Sequence, residues 1–188
     1  MTIKFSVFIA TSMDGYIARK NGDLDWLPGS DGTRGEEDFG YTAFFQSIDT
    51  LVMGRNTYAL ASSFSEWPYH GKKVWVLSSA YPHSGTPLAH EAKGLACAPL
   101  ELGLLLEQNG AQHVYVDGGK TIQSFLRAEL IQELTLTRIP VLIGEGIPLF
   151  GQLAGDIKLR HLATQVFSNG FVQSKYALEY KASKKKNK

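Results

Sequence analysis

Near the middle of the chain, residues 114–121 (VYVDGGKT) set an apolar run against two glycines, a lysine and a threonine. These are the parts of a phosphate cradle. Consecutive glycines after a buried strand let the backbone approach a ligand closely. A helix that starts at about Lys120 offers unpaired N–H groups and the positive end of its dipole to an anion. Lys120 adds a charge and Thr121 a hydroxyl. A P-loop is excluded, because its pattern needs a further glycine where Val114 stands. The G-x-G-x-x-G dinucleotide fingerprint is also absent, and the motif lies late in the chain rather than in a first βαβ unit. A structural turn between strand and helix uses the same small residues, so this motif alone leaves both readings open.

Two further stretches repeat the logic. Residues 52–60 (VMGRNTYAL) again run from strand through glycine into a helix, with Arg55 as a phosphate-type donor behind Gly54 and Thr57 one turn on. Residues 74–82 (VWVLSSAYP) end a strand in two hydroxyls, Ser78 and Ser79. Alone, Arg55 also reads as a surface ion-pair residue and the serines as a cap. Open α/β sheets bind ligands at the carboxyl ends of their parallel strands. Three strand ends with phosphate-type donors suit a ligand that carries several phosphates along its length.

The elements that must position these residues are legible as hydrophobic patterns. Residues 3–11, 50–54, 73–79 and 112–117 read as strands, the last three as short apolar runs of the kind buried on both faces. Helices are expected over 37–47, 56–63, 99–109 and 120–128. Pro99 suits the first turn of the third, and Asn109-Gly110 its end. Residues 131–139, 159–167 and 171–180 alternate as antiparallel strands do, and Ser168-Asn169-Gly170 between the last two is a hairpin signal. The fold class is therefore α/β: a single mixed, mainly parallel sheet flanked by helices, with a C-terminal antiparallel hairpin. One domain is expected over 1–181, followed by a basic, solvated tail over 182–188.

Composition narrows the function. A net charge of +1 over 188 residues argues against a nucleic-acid binder built on a broad basic field. No apolar run approaches the ~20 residues that span a bilayer. The N-terminal segment alternates like a strand rather than reading as a signal peptide, and a cytoplasmic protein is the default expectation. Cys97 is the only cysteine, so no CxxC site exists, and no histidine has metal-ligand spacing; no metal is expected. His113 reads as structural, and Trp67 as either a ligand shelter or a loop anchor.

Taken in order, ATSMDGYIA (10–18), MGRNTY (53–58), VLSS (76–79), VDGGKTIQSFL (116–126) and LIQELTLTRIPVLIGEGIPLF (130–150) resemble the dihydrofolate reductase-like superfamily. More closely, they resemble the C-terminal reductase domain of bifunctional riboflavin-biosynthesis deaminase-reductases (RibD) and its stand-alone bacterial relatives. The resemblance spans nearly the whole chain and implies an NADPH-dependent reductase. By that resemblance Ala10 and Ile17 flank the nicotinamide. Gly54, Arg55 and Thr57 hold phosphates, Ser78 and Ser79 stand near the adenosine 2′-phosphate, and Gly118, Gly119, Lys120 and Thr121 cradle the pyrophosphate. It also implies a cis peptide between Gly118 and Gly119, and a homodimer paired through its sheets.

Hydride transfer is the cofactor's chemistry; the protein orients the ring and supplies a proton. Dihydrofolate reductases carry an acid on the helix before the second strand. Asp38, 16 residues before Gly54, matches that spacing, with Glu36 and Glu37 beside it. Acids there also complement a helix N-terminus, so both roles stay open. Trp26-Leu27-Pro28 lies much farther upstream of the acid than in folate enzymes, which sets the chain apart from them. The riboflavin branch reduces the ribose of a phosphoribosylamino-pyrimidine. Residues 143–150 (IGEGIPLF) form the glycine loop expected at such a pocket, with Glu145 and Gly146, and Asp14 from the first turn, as candidate substrate contacts. The zinc deaminase half is absent, since H-x-E with P-C-x-x-C does not occur. The expectation is an NADPH-dependent reductase of a small heterocyclic or ribosylamino-pyrimidine substrate. The alternatives are a dihydrofolate reductase and a non-catalytic NADPH-binding protein.

Overall fold

Short apolar strands buried on both faces build two cores back to back. The computed structural model describes residues 2–28, 37–81 and 85–180. The proposed tail over 182–188 and Glu36 lie outside these residues. The elements are β1 (Lys4–Ser12), β2 (Tyr16–Ala18), α1 (Tyr41–Ser47), β3 (Thr50–Gly54), α2 (Arg55–Ser62), β4 (Lys73–Leu77), β5 (Thr86–Pro87), β6 (Lys93–Leu95), α3 (Pro99–Gln108), β7 (His113–Asp117), α4 (Gly119–Arg127), β8 (Glu133–Ile139), β9 (Ile147–Pro148), β10 (Lys158–Val166) and β11 (Val172–Glu179). Nine strands form one sheet in the order β10-β11-β8-β1-β7-β3-β4-β6-β5, and β2 pairs with β9 beside it. The strands from β8 to β6 run parallel, and both edges are antiparallel.

On one face Val52, Trp75, Val114 and Val116 meet Leu102 and Leu106 of α3 and Ile122, Phe125 and Leu126 of α4. On the other, their neighbours Leu51, Met53, Val74, Val76 and Tyr115 meet α1 and α2. Burial on both faces explains why these strands read as apolar runs without alternation. Among the described residues no helix is long and apolar enough to cross a membrane.

Three local expectations change. Helix α1 starts at Tyr41, not at 37, because the Asp38 carboxylate accepts from the N–H of Gly40 at 2.8 Å and of Thr42 at 3.0 Å. That turn needs left-handed backbone at Phe39 (φ +55°) and Gly40 (φ +79°). The C-terminal hairpin closes through Gly170 alone at positive φ (+83°), with Asn169 outside that region. Gly170 N–H donates to Phe167 O at 3.0 Å and Phe167 N–H to Phe171 O at 2.9 Å, the geometry of a longer hairpin loop with one left-handed glycine. Finally, the Gly118–Gly119 peptide is trans, not cis.

Candidate active site

Parallel pairing of β3 with β7 sets Met53 opposite Asp117, so the two strands end together and α2 and α4 start side by side. Neither helix N-terminus has a side-chain cap, which leaves their first N–H groups open. The glycines let the two turns cross. A Cβ on Gly118, at φ +87°, would run into the Thr57 hydroxyl of α2, and one on Gly54 would stand 3.1 Å from the Thr121 hydroxyl of α4. Arg55 and Lys120 are exposed, and neither belongs to an ion pair among the described residues. One strand farther out, Ser78 directly follows the end of β4; its N–H donates to Leu95 O at 3.0 Å and its hydroxyl accepts from Ala80 N–H at 3.2 Å. Ser79 beside it is exposed.

The other side of the row comes from β1 and the short β2–β9 pair. A Cβ on Gly119 would lie 2.9 Å from Ile17 Cδ1, 3.4 Å from Pro148 O and 3.5 Å from Ile147 Cγ2. Ile17, Gly119 and β9 therefore close on one another. Ala10 packs in a third cluster with Trp26, Leu27, Phe39, Phe167 and Phe171. The cofactor candidates thus line up along adjacent strand ends.

The acids chosen from sequence have other engagements. The Ser12 hydroxyl donates to Asp14 at 2.6 Å, and Gly144 and Ile143 N–H donate at 2.8 and 3.3 Å. These bonds hold the Asp14 carboxyl below its ordinary range and fasten the first turn to residues 143–144. Gly146 lets the same loop lie against β2, because a Cβ there would meet Ala18 O. Glu145 forms an exposed ion pair with Lys20. Asp38 is exposed, and the Thr42 hydroxyl with the Gly40 and Thr42 N–H groups lowers its pKa.

The residue that sequence reasoning missed is Asp117, at the end of β7. Its carboxylate accepts from Gly118 N–H at 2.7 Å and from the Tyr69 hydroxyl at 3.3 Å. Tyr115 lies two residues back on the same strand, its hydroxyl donating to Phe8 O at 2.9 Å. Burial pushes the Asp117 carboxyl up, against the Gly118 and Tyr69 hydrogen bonds. Burial and the Asp117 charge also push the tyrosines at 41, 69 and 115 up. Every other carboxyl whose pKa moves among the described residues moves down. The available signal was an acid that closes an apolar strand immediately before paired glycines.

Depth alone does not mark this row. A cavity of about 760 Å³ opens at the amino ends of β3 and β4, and one of about 550 Å³ lies between α1 and strands β8, β10 and β11. The strand-end row is distinguished by convergent helix termini and by Asp117, not by volume.

Comparison with known proteins agrees with this geometry. The RibD C-terminal domain family model matches residues 101–173. The uncharacterized protein YwjB of Bacillus subtilis (strain 168) is 33% identical over 172 residues, 89% of this chain and 94% of its own. A crystal structure from Shewanella sp. PV-4, provisionally named as a riboflavin biosynthesis protein, is 36% identical with a TM-score of 0.84, covering 95% of this chain and all of that one. Dihydrofolate reductase from Enterococcus faecalis shares the fold at 18% identity and a TM-score of 0.66, over 94% of this chain and 97% of that one. Strand-end glycines, crossed helix termini and these likenesses agree: the chain has the dihydrofolate reductase-like fold and belongs to the RibD C-terminal domain family.

Proposed function

We propose that this protein is an NADPH-dependent reductase of a small heterocyclic or ribosylamino-pyrimidine substrate, of the 5-amino-6-(5-phosphoribosylamino)uracil reductase type. The observation that carries the reading is the crossing of two uncapped helix N-termini over Gly54 and Gly118, beside Ile17. Membership in the RibD C-terminal domain family supports a reductase, and the Enterococcus faecalis relative in complex with NADP(H) supports the cofactor class.

The residues present fit such a group. Open N–H groups of α2 and α4, with Arg55, Thr57, Lys120 and Thr121, suit a pyrophosphate. Ser78 and Ser79 offer hydroxyls one strand away, where a 2′-phosphate would lie. Ala10 and Ile17 give the apolar flank that a nicotinamide ring needs. The bound cofactor would supply the hydride. The chain's own task is then to exclude water, orient the substrate and hold the accompanying proton. Asp117 is the group suited to that proton, because burial favours its protonated form. Asp38, held ionised by its hydrogen bonds, suits helix capping better. Asp14, Glu145 and Gly146 shape the substrate side by fastening residues 143–148 rather than by reaching a ligand.

The unpaired edge of β10 supports a homodimer. All nine of its residues are exposed, and Leu159, Leu162 and Val166 are among the exposed large apolar side chains. An open edge of that length is normally covered.

Titrating NADPH and NADH against the protein, read by tryptophan fluorescence, tests the cofactor site. Selective saturation by NADPH, followed by substrate-dependent NADPH oxidation with phosphoribosylamino-pyrimidine, is expected. Binding without turnover on any such substrate would favour a non-catalytic NADPH-binding protein; turnover with dihydrofolate would favour the folate reading. No binding of either nucleotide would end the reductase reading.

A further inference from the structure

The 760 Å³ cavity lies at the opposite end of the sheet from the glycine row, at the amino ends of β3 and β4. Its aromatic walls include Trp67 and Trp75, both buried, one from each core. Its cations are Lys72, Lys73 and Lys93, and Glu91 is the one carboxylate on the wall. None of these lysines is in an ion pair among the described residues. Each is anchored by neutral groups instead. Lys72 donates to Ile48 O at 2.6 Å and lies 4.9 Å from the Phe45 ring centroid. Lys73 reaches Asn109 O at 3.4 Å, and Lys93 lies 5.5 Å from the Trp75 ring centroid. An ammonium has three donors, so such anchors leave most of them unspent. Three unpaired cations around one cavity repel each other, and an anion relieves that repulsion.

Backbone strain marks the same place. His90 and Glu91 are consecutive non-glycine residues with φ of +56° and +58°. Left-handed backbone is unfavourable for such residues, because their Cβ crowds the following carbonyl oxygen. The turn is held by Tyr58, whose hydroxyl donates to Ala89 O at 3.0 Å, and by Leu88 N–H, which donates to Ala92 O at 2.9 Å. Its product is a flat stack: the His90 imidazole lies on the Trp67 ring at 4.3 Å between centroids and 4° between planes. Trp67 is buried and His90 exposed, so the stack presents a planar platform at the cavity's mouth. Strain kept at one spot in a fold points to a task there.

We propose that this cavity is a second ligand site, for a planar heterocycle that carries a phosphate. The ring extends the Trp67–His90 stack, and the phosphate meets Lys73 and Lys93. A purely apolar guest would leave the cations unpaired. A metal ion lacks ligands, since no group of three or more His, Cys, Asp or Glu suited to one occurs among the described residues. The site is independent of the reductase reading, because it is built from the other ends of the strands.

Adenosine 5′-monophosphate is the probe, with adenosine and inorganic phosphate as controls, titrated into ¹⁵N-labelled protein and followed by amide chemical shifts. Saturable shifts are expected at residues 67–75 and 90–93, with tighter binding of the monophosphate than of either part. The double variant Lys73→Glu/Lys93→Glu is expected to weaken it about 10-fold or more, ~1.4 kcal/mol, and to leave NADPH binding unchanged. His90→Gly, which relaxes the turn and removes the ring, is expected to weaken the monophosphate but not inorganic phosphate. Shifts confined to residues 54–57, 78–79 and 118–121 would place the probe in the cofactor row and overturn the proposal. So would the absence of saturation below about 10 mM, an affinity weaker than any specific site of this size should show, or an equal response to inorganic phosphate. Failure of wild-type protein to bind NADPH would count against the reductase reading and leave this site standing.

Discussion

Asp117 and Asp38 show how the surroundings divide two carboxyls of the same type. Asp38 accepts only from a turn and a helix start in water, so its charge is favoured. Burial among aromatic rings resists the charge of Asp117, although the Tyr69 hydroxyl donates to it. A pKa raised on folding adds stability below the unfolded value and loses it as pH rises through the folded value. Asp117→Asn should therefore melt higher than wild type at pH 8, with the gain vanishing at acid pH, while turnover falls about 100-fold or more. Thermal melts across pH and single-turnover rates check both halves; an unchanged melting profile would remove Asp117 from this role. Tyr69→Phe deletes a donor to the carboxylate, so the alkaline limb of kcat/KM, where the Asp117 proton is lost, should move to higher pH. Asp38→Ala should lower the melting temperature modestly and keep turnover. Intact stability with lost turnover would restore Asp38 as the proton donor.

At the scale of elements, the glycine row rests on close backbone approach. Gly118→Ala would place a methyl against Thr57 at a left-handed φ. It should weaken NADPH binding at least about 10-fold while costing roughly 1–2 kcal/mol of stability from backbone strain alone. Urea denaturation and cofactor titration separate the two effects; a variant that binds normally would mean that the turn packs without serving a ligand. This level was the most legible in the sequence. The run 50–54 is β3 to the residue, because strands buried on both faces carry an unbroken apolar signal. Strands β2, β5, β6 and β9 were not legible, since two or three residues carry no period. Nor was the environment of Asp117. It depends on Tyr69, 48 residues earlier, folding over the strand end, and no local pattern encodes that contact. The trans peptide at Gly118–Gly119 likewise departs from what the family resemblance implied.

For the whole molecule, the open β10 edge predicts association. Leu162→Lys, at an exposed position of that strand, should shift sedimentation from dimer to monomer without changing the melting profile of the monomer. A wild-type monomer at micromolar concentration would end the dimer reading. The position of β1 has another consequence. It is the first strand in the chain, yet its partners are β7 and β8, with Lys4 opposite His113 and Ser6 opposite Glu133. During synthesis on a ribosome, β1 must wait until β7, from His113 onward, has been made before either of its edges is paired. Such long-range closure slows folding and prolongs exposure of unpaired strand. The nascent chain should accordingly be a client for chaperones that bind extended apolar segments, and a truncated chain that stops before β7 should fail to fold at all.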